Sequence, residues 1–194
     1  MNHITQDLNW STPIWSVVLN DLKIDFNKKI EKFLIKLKKE TKGRKLSNEG
    51  GWQSDILNNC EELKPLLFLI SKVCENLNLN IQTMEIPQIW ASINKKNDYN
   101  IIHQHGGQYH MSGTYYVKTP KNCGSIFFRD PRPSAISNTY FLINFEKSEI
   151  KKHDIQEGLL MLWPSYLDHF VEPSKANKER ISISFDIILT AKKK

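Results

Sequence analysis

Apolar residues are spaced differently in two regions of the chain. Up to about residue 83 they recur at intervals of three and four residues, which predicts helices near Asn20–Lys42 and Glu62–Leu77. From about residue 84, short apolar or alternating runs are separated by turn formers, which predicts strands. We therefore predict one domain over residues 1–194, with a mainly helical part over 1–83 that packs on a β core over 84–190.

The predicted strands are short, and clusters of Pro, Gly, Asn and Asp lie between them. They cover Glu85–Asn94, Tyr99–His105, Ser112–Thr119, Ser125–Arg129, Thr139–Phe145, Gly158–Trp163, Asp168–Glu172 and Arg180–Leu189. Eight such strands are typical of a jelly roll, in which two sheets face each other around an interior that opens at one mouth. The expected fold is therefore mainly β with N-terminal helices, an α+β arrangement around a cupin-like jelly-roll core.

Length and composition agree with one globular domain. The chain has 194 residues, of which 40% are hydrophobic and 25% charged. No apolar run approaches the roughly 18 residues of a membrane span, and the first residues lack the order of a secretory signal. The three cysteines lack C-x-x-C spacing, which argues against a disulfide framework and a zinc ribbon. We expect a cytoplasmic protein, either bacterial or, if phage-encoded, in the host cytoplasm.

Much of the net charge of +6 lies in the basic stretch Lys28–Lys45. Phe26, Ile30 and Leu34 recur there at helical spacing, so the lysines are expected on the solvent face of an amphipathic helix. Nucleic-acid binding is therefore not expected, although an anionic substrate is compatible with the charge. The oligomeric state is left open, and a homodimer is one of the options.

A histidine pair in the second predicted strand is the strongest chemical signal. Residues two apart on a strand point to the same face, so His103 and His105 can bind one metal ion. His169, in the seventh predicted strand, would complete a facial set of ligands and leave positions open for substrate or oxygen. The pattern predicts a catalytic metal site rather than a structural one.

Arg180 begins the last predicted strand and adds a cation to this set. A guanidinium can hold a carboxylate through two parallel hydrogen bonds, so the four residues together indicate an iron and 2-oxoglutarate site. Three histidines also bind catalytic zinc, so a cupin-type dioxygenase or zinc hydrolase that does not use 2-oxoglutarate is the principal alternative. A non-catalytic jelly-roll binding protein is the second alternative.

Several segments together resemble a known group of enzymes. They are S-N-E-G-G-W-Q-S from Ser47, Y-N-I-I-H-Q-H from Tyr99, S-G-T-Y-Y-V from Ser112, G-L-L-M-L-W-P-S-Y-L-D-H-F-V from Gly158 and R-I-S-I-S-F from Arg180. The chain thereby resembles the 2-oxoglutarate and Fe(II)-dependent oxygenases of the double-stranded β-helix superfamily, particularly a small bacterial and phage subgroup. The order of the segments is similar to that of prolyl-4-hydroxylases.

The resemblance implies a reaction and its cofactors. Fe(II), dioxygen and 2-oxoglutarate would act together, and decarboxylation of 2-oxoglutarate to succinate would be coupled to oxidation of a substrate C–H bond. The enzyme would then be a hydroxylase. Its substrate is an unknown small molecule or a peptidyl side chain, the latter suggested by fold-level similarity alone.

The resemblance also implies which residues hold the cosubstrate. Arg180 would pair with the far carboxylate of 2-oxoglutarate, and the Ser182 hydroxyl, two residues along the same strand face, would be a second donor. Tyr115 or Tyr116 would add a phenolic hydrogen bond. Because neighbouring strand residues point to opposite faces, only one of these tyrosines is expected to face the site.

One position departs from the wider superfamily, which usually has Asp or Glu where this chain has His105. Exchanging a carboxylate for a neutral imidazole removes a negative charge beside the metal. The resemblance to the smaller subgroup nevertheless favours His103, His105 and His169 as the metal ligands. Asp168 and Asp130 are weaker alternatives. Asp168 is next to His169 and is expected to point to the opposite face of the strand, and Asp130 lies in a loop.

Overall fold

The computed structural model describes residues 11–20, 25–77, 79–132 and 150–192, and two antiparallel sheets form its centre. The helices are α1 (Asp25–Glu40) and α2 (Lys64–Glu75), with a 3-10 turn immediately before α2 at Glu61–Leu63. Both helices lie within the ranges predicted from apolar spacing. None of the described helices is long and apolar enough to cross a membrane.

The strands after residue 80 follow the predicted ones closely, except that the strand Ile150–His153 was not predicted. The short strands before residue 80 were not predicted either. They are β1 (Trp15–Val18), β2 (Asn48–Glu49), β3 (Trp52–Gln53), β4 (Ile81–Asn94), β5 (Tyr99–His103), β6 (Met111–Lys118), β7 (Ile126–Arg129), β8 (Ile150–His153), β9 (Leu159–Pro164), β10 (His169–Val171) and β11 (Arg180–Ala191). The predicted strand Thr139–Phe145 lies outside the described residues.

The larger sheet has the strand order β1-β9-β6-β11-β4-β3 and carries the main hydrophobic core on its outer face. Strand β11 shows how sequence divides the two faces. Ile181, Ile183 and Phe185 are fully buried on the outer face. The residues between them are polar and point to the inner face, because strand side chains alternate. The alternation therefore yields an apolar core on one side and a polar cavity wall on the other.

Helices α1 and α2 cover the outer face of this sheet. In α1, Phe26, Ile30 and Leu34 are buried at four-residue spacing, and lysines follow the opposite side of the helix. In α2, Leu66 and Ile70 are fully buried in the same core. Fully burying a large apolar side chain contributes roughly 1.5–3 kcal/mol, so this contact is a major source of stability.

The smaller sheet has the order β2-β5-β10-β7-β8 and faces the inner side of the larger one. A second apolar cluster lies between the sheets and includes Ile126, Phe128, Leu159, Met161 and Trp163. This cluster closes one end of the space between the sheets. The other end is lined by polar side chains and is open.

The segment Ser47–Ser54 links the two sheets. Strand β2 pairs with β5 in the smaller sheet, and β3 pairs with β4 in the larger one, so the chain crosses between sheets at Gly50 and Gly51. Both glycines have positive φ, 66° and 59°, which side chains with a Cβ rarely adopt. Trp52 follows, is buried in the core, and donates from Nε1 to the Thr41 carbonyl at 3.3 Å. Trp52 thus anchors this segment to the core.

Candidate metal centre and active site

A cavity of about 710 Å³ lies between the sheets. Its floor is the inner face of the larger sheet, formed by alternating residues of β4 and β11. These are Gln88, Trp90, Ser92, Arg180, Ser182, Ser184 and Asp186. The smaller sheet supplies His103 and His169 to the opposite wall. One polar cavity therefore receives most of the residues that the sequence singled out.

The register of the smaller sheet brings the distant histidines together. His103 at the end of β5 lies directly opposite His169 at the start of β10, and their ring centroids are 4.3 Å apart. His105 follows β5, and its backbone N–H donates to the Ser165 carbonyl at 2.9 Å. One potential ligand atom from each histidine lies within 4.8 Å of those of the other two. Among the described residues, these three form the only cluster that could hold a metal ion.

Each imidazole makes a hydrogen bond through Nδ1. Nδ1 of His103 lies 2.7 Å from the Ile101 carbonyl, and Nδ1 of His169 lies 2.9 Å from the Leu167 carbonyl. Nδ1 of His105 lies 2.7 Å from Oδ1 of Asp186. Because all three partners are acceptors, Nδ1 carries the proton in each neutral ring and Nε2 keeps its lone pair. The three Nε2 atoms are thus left to bind a metal.

Burial keeps two of these rings neutral. Desolvation is the largest cause, and together with the neighbouring His103 it lowers the pKa of His169 to about 3. Desolvation also lowers the pKa of His103. The aromatic rings of Trp163 and Phe128 pack around His169, with ring centroids 5.0 and 6.0 Å away. Neutral imidazole is the form that binds metals, so the lowered pKa values of His103 and His169 favour metal binding by these two residues below the ordinary histidine pKa.

The low pKa of His169 predicts how the metal-free protein responds to acid. Between pH 6.5, the ordinary histidine value, and about 3, the unfolded chain binds a proton at residue 169 that the folded chain does not. The free energy of unfolding should therefore fall as pH drops through this window, by a few kcal/mol at about 1.4 kcal/mol per pKa unit. Above pH 6.5 the contribution is constant.

Urea unfolding at a series of pH values, with a chelator present, measures this effect. His169→Leu should flatten the acid side of the profile. His110→Leu is the matched control, because His110 is an exposed residue outside the cluster. An equally steep profile in His169→Leu would show that other groups cause the acid sensitivity.

Arg180 lies in the same cavity and is 2% exposed. Its Nη1 donates to the Cys123 carbonyl at 3.2 Å, while Nε has no hydrogen-bond partner within the described part of the chain. Desolvation lowers the pKa of the guanidinium, and no carboxylate of the described residues forms a salt bridge with it. The Asp98 carboxylate acts on the guanidinium electrostatically but forms no salt bridge with it. A bound carboxylate would supply the hydrogen-bonded anion that this buried cation lacks.

The structure decides between the two neighbouring tyrosines. Tyr116 lines the cavity and lies beside Ser182 in the register of β6 and β11, near Arg180. Tyr115 points to the opposite face, is fully buried, and donates from its hydroxyl to Oδ1 of Asn27 at 2.9 Å. Of the two candidates, only Tyr116 can therefore meet a molecule bound at Arg180. Tyr115 is a core residue that holds α1 against the sheet.

The alternative carboxylate ligands lie outside the histidine cluster. Asp130 makes hydrogen bonds to both the backbone and the guanidinium of Arg132, at 2.7 to 3.0 Å. Asp168 is not a member of the cluster either, and its carbonyl accepts from the Arg129 N–H. His110 is exposed, and its Nδ1 accepts from the Leu189 N–H at 3.1 Å.

Asp186 is the site residue that sequence reasoning missed. It is fully buried, lines the cavity, and contacts His105. A signal for it was present, because Arg180, Ser182, Ser184 and Asp186 alternate with apolar residues along one strand. An acid on the polar face of that strand has to point into the same cavity as Arg180.

A sequence profile of the family described as "Putative 2OG-Fe(II) oxygenase" matches residues 88–186. The match includes the three histidines and Arg180. The chain belongs to this oxygenase family. As a 2-oxoglutarate and Fe(II)-dependent oxygenase, it uses Fe(II), 2-oxoglutarate and dioxygen. The alternatives of a zinc hydrolase, a cupin-type dioxygenase and a non-catalytic binding protein are thereby set aside. No curated protein matches the chain in sequence.

Three solved structures illustrate the similarity of fold. A prolyl-4-hydroxylase of Pseudomonas putida is 12% identical with a TM-score of 0.63, covering 94% of this chain and 95% of its own. The collagen prolyl hydroxylase of Paramecium bursaria Chlorella virus 1, in complex with 2-oxoglutarate, is 12% identical with a TM-score of 0.59, covering 90% and 94%. HygX of Streptomyces hygroscopicus, with nickel, 2-oxoglutarate and hygromycin B bound, is 11% identical with a TM-score of 0.64, covering 92% and 84%. These similarities confirm the double-stranded β-helix fold with N-terminal helices.

The cavity of this oxygenase fits the cofactors of its family. Imidazole nitrogens are suitable ligands for Fe(II), and three of them leave coordination positions open. The buried guanidinium of Arg180 lies in the same cavity, and its Nε has no hydrogen-bond partner among the described residues. The three imidazoles could hold the metal, and the Arg180 guanidinium could pair with the far carboxylate of a dicarboxylate bound to that metal.

Proposed function

We propose that this oxygenase is a hydroxylase in which His103, His105 and His169 bind Fe(II), and Arg180, Ser182 and Tyr116 bind 2-oxoglutarate. The observation that carries the proposal is that one cavity holds three free Nε2 atoms and a buried guanidinium whose Nε has no hydrogen-bond partner among the described residues. When bound, the iron and 2-oxoglutarate supply dioxygen activation, with succinate and carbon dioxide as co-products and oxidation of a substrate C–H bond.

The protein itself orients the metal ligands and encloses the site. Nδ1 hydrogen bonds hold the His103 and His169 rings with Nε2 directed away from the backbone. Rotation of these rings would break the bonds, so the ligands are in place before the metal arrives. The Trp163 and Phe128 rings exclude water from the side of His169. A dry wall here would protect a reactive site from unproductive reactions.

Arg180 would orient 2-oxoglutarate by its far carboxylate. The Ser182 side chain is two residues along the same strand face, and Tyr116 lies across from it on β6. All three can donate hydrogen bonds to one carboxylate group. Fixing the distant end of the molecule leaves its 2-oxo acid end free to reach the metal.

The substrate would enter at the mouth of the cavity, where exposed apolar side chains lie beside basic ones. Leu46, Ile56 and Ile101 all line the cavity and are 57%, 38% and 46% exposed. Arg44 and Lys45 lie next to them. An exposed apolar patch at a cavity mouth is typical of a binding surface. It would suit a small molecule or a peptidyl side chain with an apolar part.

A cytoplasmic location is proposed on the state of the cysteines. Cys60, Cys74 and Cys123 are all free, and none of them forms a disulfide. Burial raises the pKa of the Cys60 and Cys74 thiols to about 11, which keeps them protonated and unreactive. Free thiols of this kind are usual in reducing compartments.

The test of the function is an anaerobic titration of metal-stripped protein, first with Fe(II) and then with 2-oxoglutarate. Chelation of iron by the 2-oxo acid should produce a visible metal-to-ligand charge-transfer band. His110→Ala should leave the band intact, because this exposed histidine is outside the cluster. Iron binding without a band would contradict the 2-oxoglutarate role, and absence of iron binding would contradict the whole assignment.

The two tyrosines provide a matched pair for the cosubstrate site. Tyr116→Phe is expected to weaken 2-oxoglutarate binding about ten-fold, because a hydrogen bond to a charged group is worth about 1.5 kcal/mol or more. Tyr115→Phe should leave that affinity unchanged. It should instead lower the free energy of unfolding by about 1 kcal/mol, since the bond to Asn27 is lost.

Titration of the charge-transfer band and urea unfolding measure the two effects on the same samples. The assignment of Tyr116 would be wrong if both variants bound 2-oxoglutarate as tightly as the wild type. If only Tyr115→Phe weakened binding, the residue that contacts 2-oxoglutarate would be Tyr115 and not Tyr116.

A further inference from the structure

A row of three polar side chains crosses the inner face of the larger sheet beside the histidine cluster. Asp186 of β11 is paired in register with Gln88 of β4 on one side and with Ser112 of β6 on the other. Gln88 Nε2 donates to Oδ2 of Asp186 at 2.5 Å, and Ser112 Oγ donates to Oδ1 at 2.6 Å. The carboxylate is thus held from both neighbouring strands.

The third partner of Asp186 is His105, whose Nδ1 lies 2.7 Å from Oδ1. All three partners donate, which is the arrangement that suits an ionised carboxylate. Apart from His105, no cationic residue in the described ranges pairs with Asp186. The charge is therefore buried without a protein cation to balance it, and a dication at Nε2 of His105 would lie on the far side of the same ring.

His105 differs from the other two histidines in this contact. Nδ1 of His103 and of His169 is bound to a backbone carbonyl, a neutral acceptor that any residue at that position provides. Only His105 is bound to a charged side chain. The chain thus has a carboxylate directly behind the one histidine that stands where the wider superfamily usually has a carboxylate ligand.

We propose that Asp186 is a positioning residue that holds His105 with Nε2 toward the metal and supplies, from behind the ring, the negative charge that the ligand itself lacks. The proposal rests on the proposed function, in which His105 is a metal ligand. A carboxylate hydrogen-bonded to a ligand histidine fixes the ring tautomer and makes the ring a stronger donor to the metal. Asp186 does not bind the metal, since it lies outside the cluster of potential ligand atoms.

The experiment compares metal affinity in Asp186→Asn, which keeps the shape of the side chain and removes its charge. Fe(II) affinity, measured anaerobically by competition with a chromogenic chelator, should fall about 10- to 100-fold, the usual effect of losing such a partner. Ser112→Ala is the matched control, because it removes one hydrogen bond to the same carboxylate and leaves the charge. Its affinity should remain within about three-fold of wild type, well short of the loss expected for the charge.

A second readout, the tautomer of His105, needs no metal. Long-range proton–nitrogen NMR of the metal-free wild type should show His105 as the Nδ1–H tautomer. In Asp186→Asn, the tautomer should become mixed, because the amide can present either an acceptor or a donor to the ring. A melting temperature within a few degrees of wild type would show that the variant is folded.

Three results would overturn the proposal. The first is an unchanged Fe(II) affinity in folded Asp186→Asn, and the second is an Nε2–H tautomer of His105 in the wild type. The third is loss of metal as complete as in His103→Ala, which would make Asp186 itself a ligand. Failure of the proposed function is a separate outcome, since it would appear in the wild type as the absence of iron binding or of the charge-transfer band.

Discussion

Arg180→Met is expected to weaken 2-oxoglutarate binding at least about 100-fold, because breaking a buried charge pair costs roughly 3–5 kcal/mol. The guanidinium is 2% exposed and has one hydrogen bond to a described residue, from Nη1 to the Cys123 carbonyl. Its Nε is without a partner among the described residues. Much of its capacity for hydrogen bonding is therefore available only to a bound anion. Methionine keeps the length and apolar stem of the side chain and removes the charge.

The same substitution should not lower the free energy of unfolding of the metal-free protein. A buried cation without an anion is a cost to the folded state, so Arg180→Met without cosubstrate should be as stable as the wild type or more so. Loss of 2-oxoglutarate binding with retained stability would separate a binding role from a structural one.

Charge-transfer titration and urea unfolding together test this prediction. Arg132→Met is the matched control, since Arg132 does not line the cavity and forms hydrogen bonds and a salt bridge with Asp130. Fe(II) affinity should be retained in both variants. Wild-type affinity for 2-oxoglutarate in Arg180→Met would refute the role assigned to Arg180.

His103→Ala is expected to reduce Fe(II) affinity more than about 100-fold, since losing even an outer hydrogen-bond partner of a ligand costs about 10- to 100-fold. His103 is the better test of the three histidines. It is half-buried at the end of β5, so its removal leaves little cavity, whereas His169 is buried among aromatic rings. The expected loss is therefore one of metal binding rather than of folding.

Anaerobic chelator competition measures this loss, and circular dichroism verifies the fold. His110→Ala, which removes an exposed histidine outside the cluster, should bind Fe(II) as the wild type does. Undiminished iron binding by His103→Ala would mean that the metal is held elsewhere.

Local patterns were sufficient for much of the fold. The strands β4, β5, β6, β7, β9, β10 and β11 follow alternating or apolar runs that turn formers separate. Both helices follow apolar spacing. The short strands β1, β2 and β3 carry no comparable pattern, because two to four residues are too few to show a period. They exist because a neighbouring strand offers them hydrogen bonds.

The sequence by itself determined the chemistry available to this protein. The spacing of His103 and His105, the late His169 and the basic start of β11 together indicated a metal and 2-oxoglutarate site, because residue type and strand alternation are local properties. The family match is consistent with that interpretation.

Only the tertiary structure decided which side chains share the cavity. The face of β6 selects Tyr116 over Tyr115, since helix α1 already covers the other side of the sheet. The register of β10 against β5 sets His169 opposite His103, and the row across β4, β11 and β6 places Asp186 behind His105. Register and sheet pairing depend on contacts between residues far apart in the chain, and no local pattern contains them.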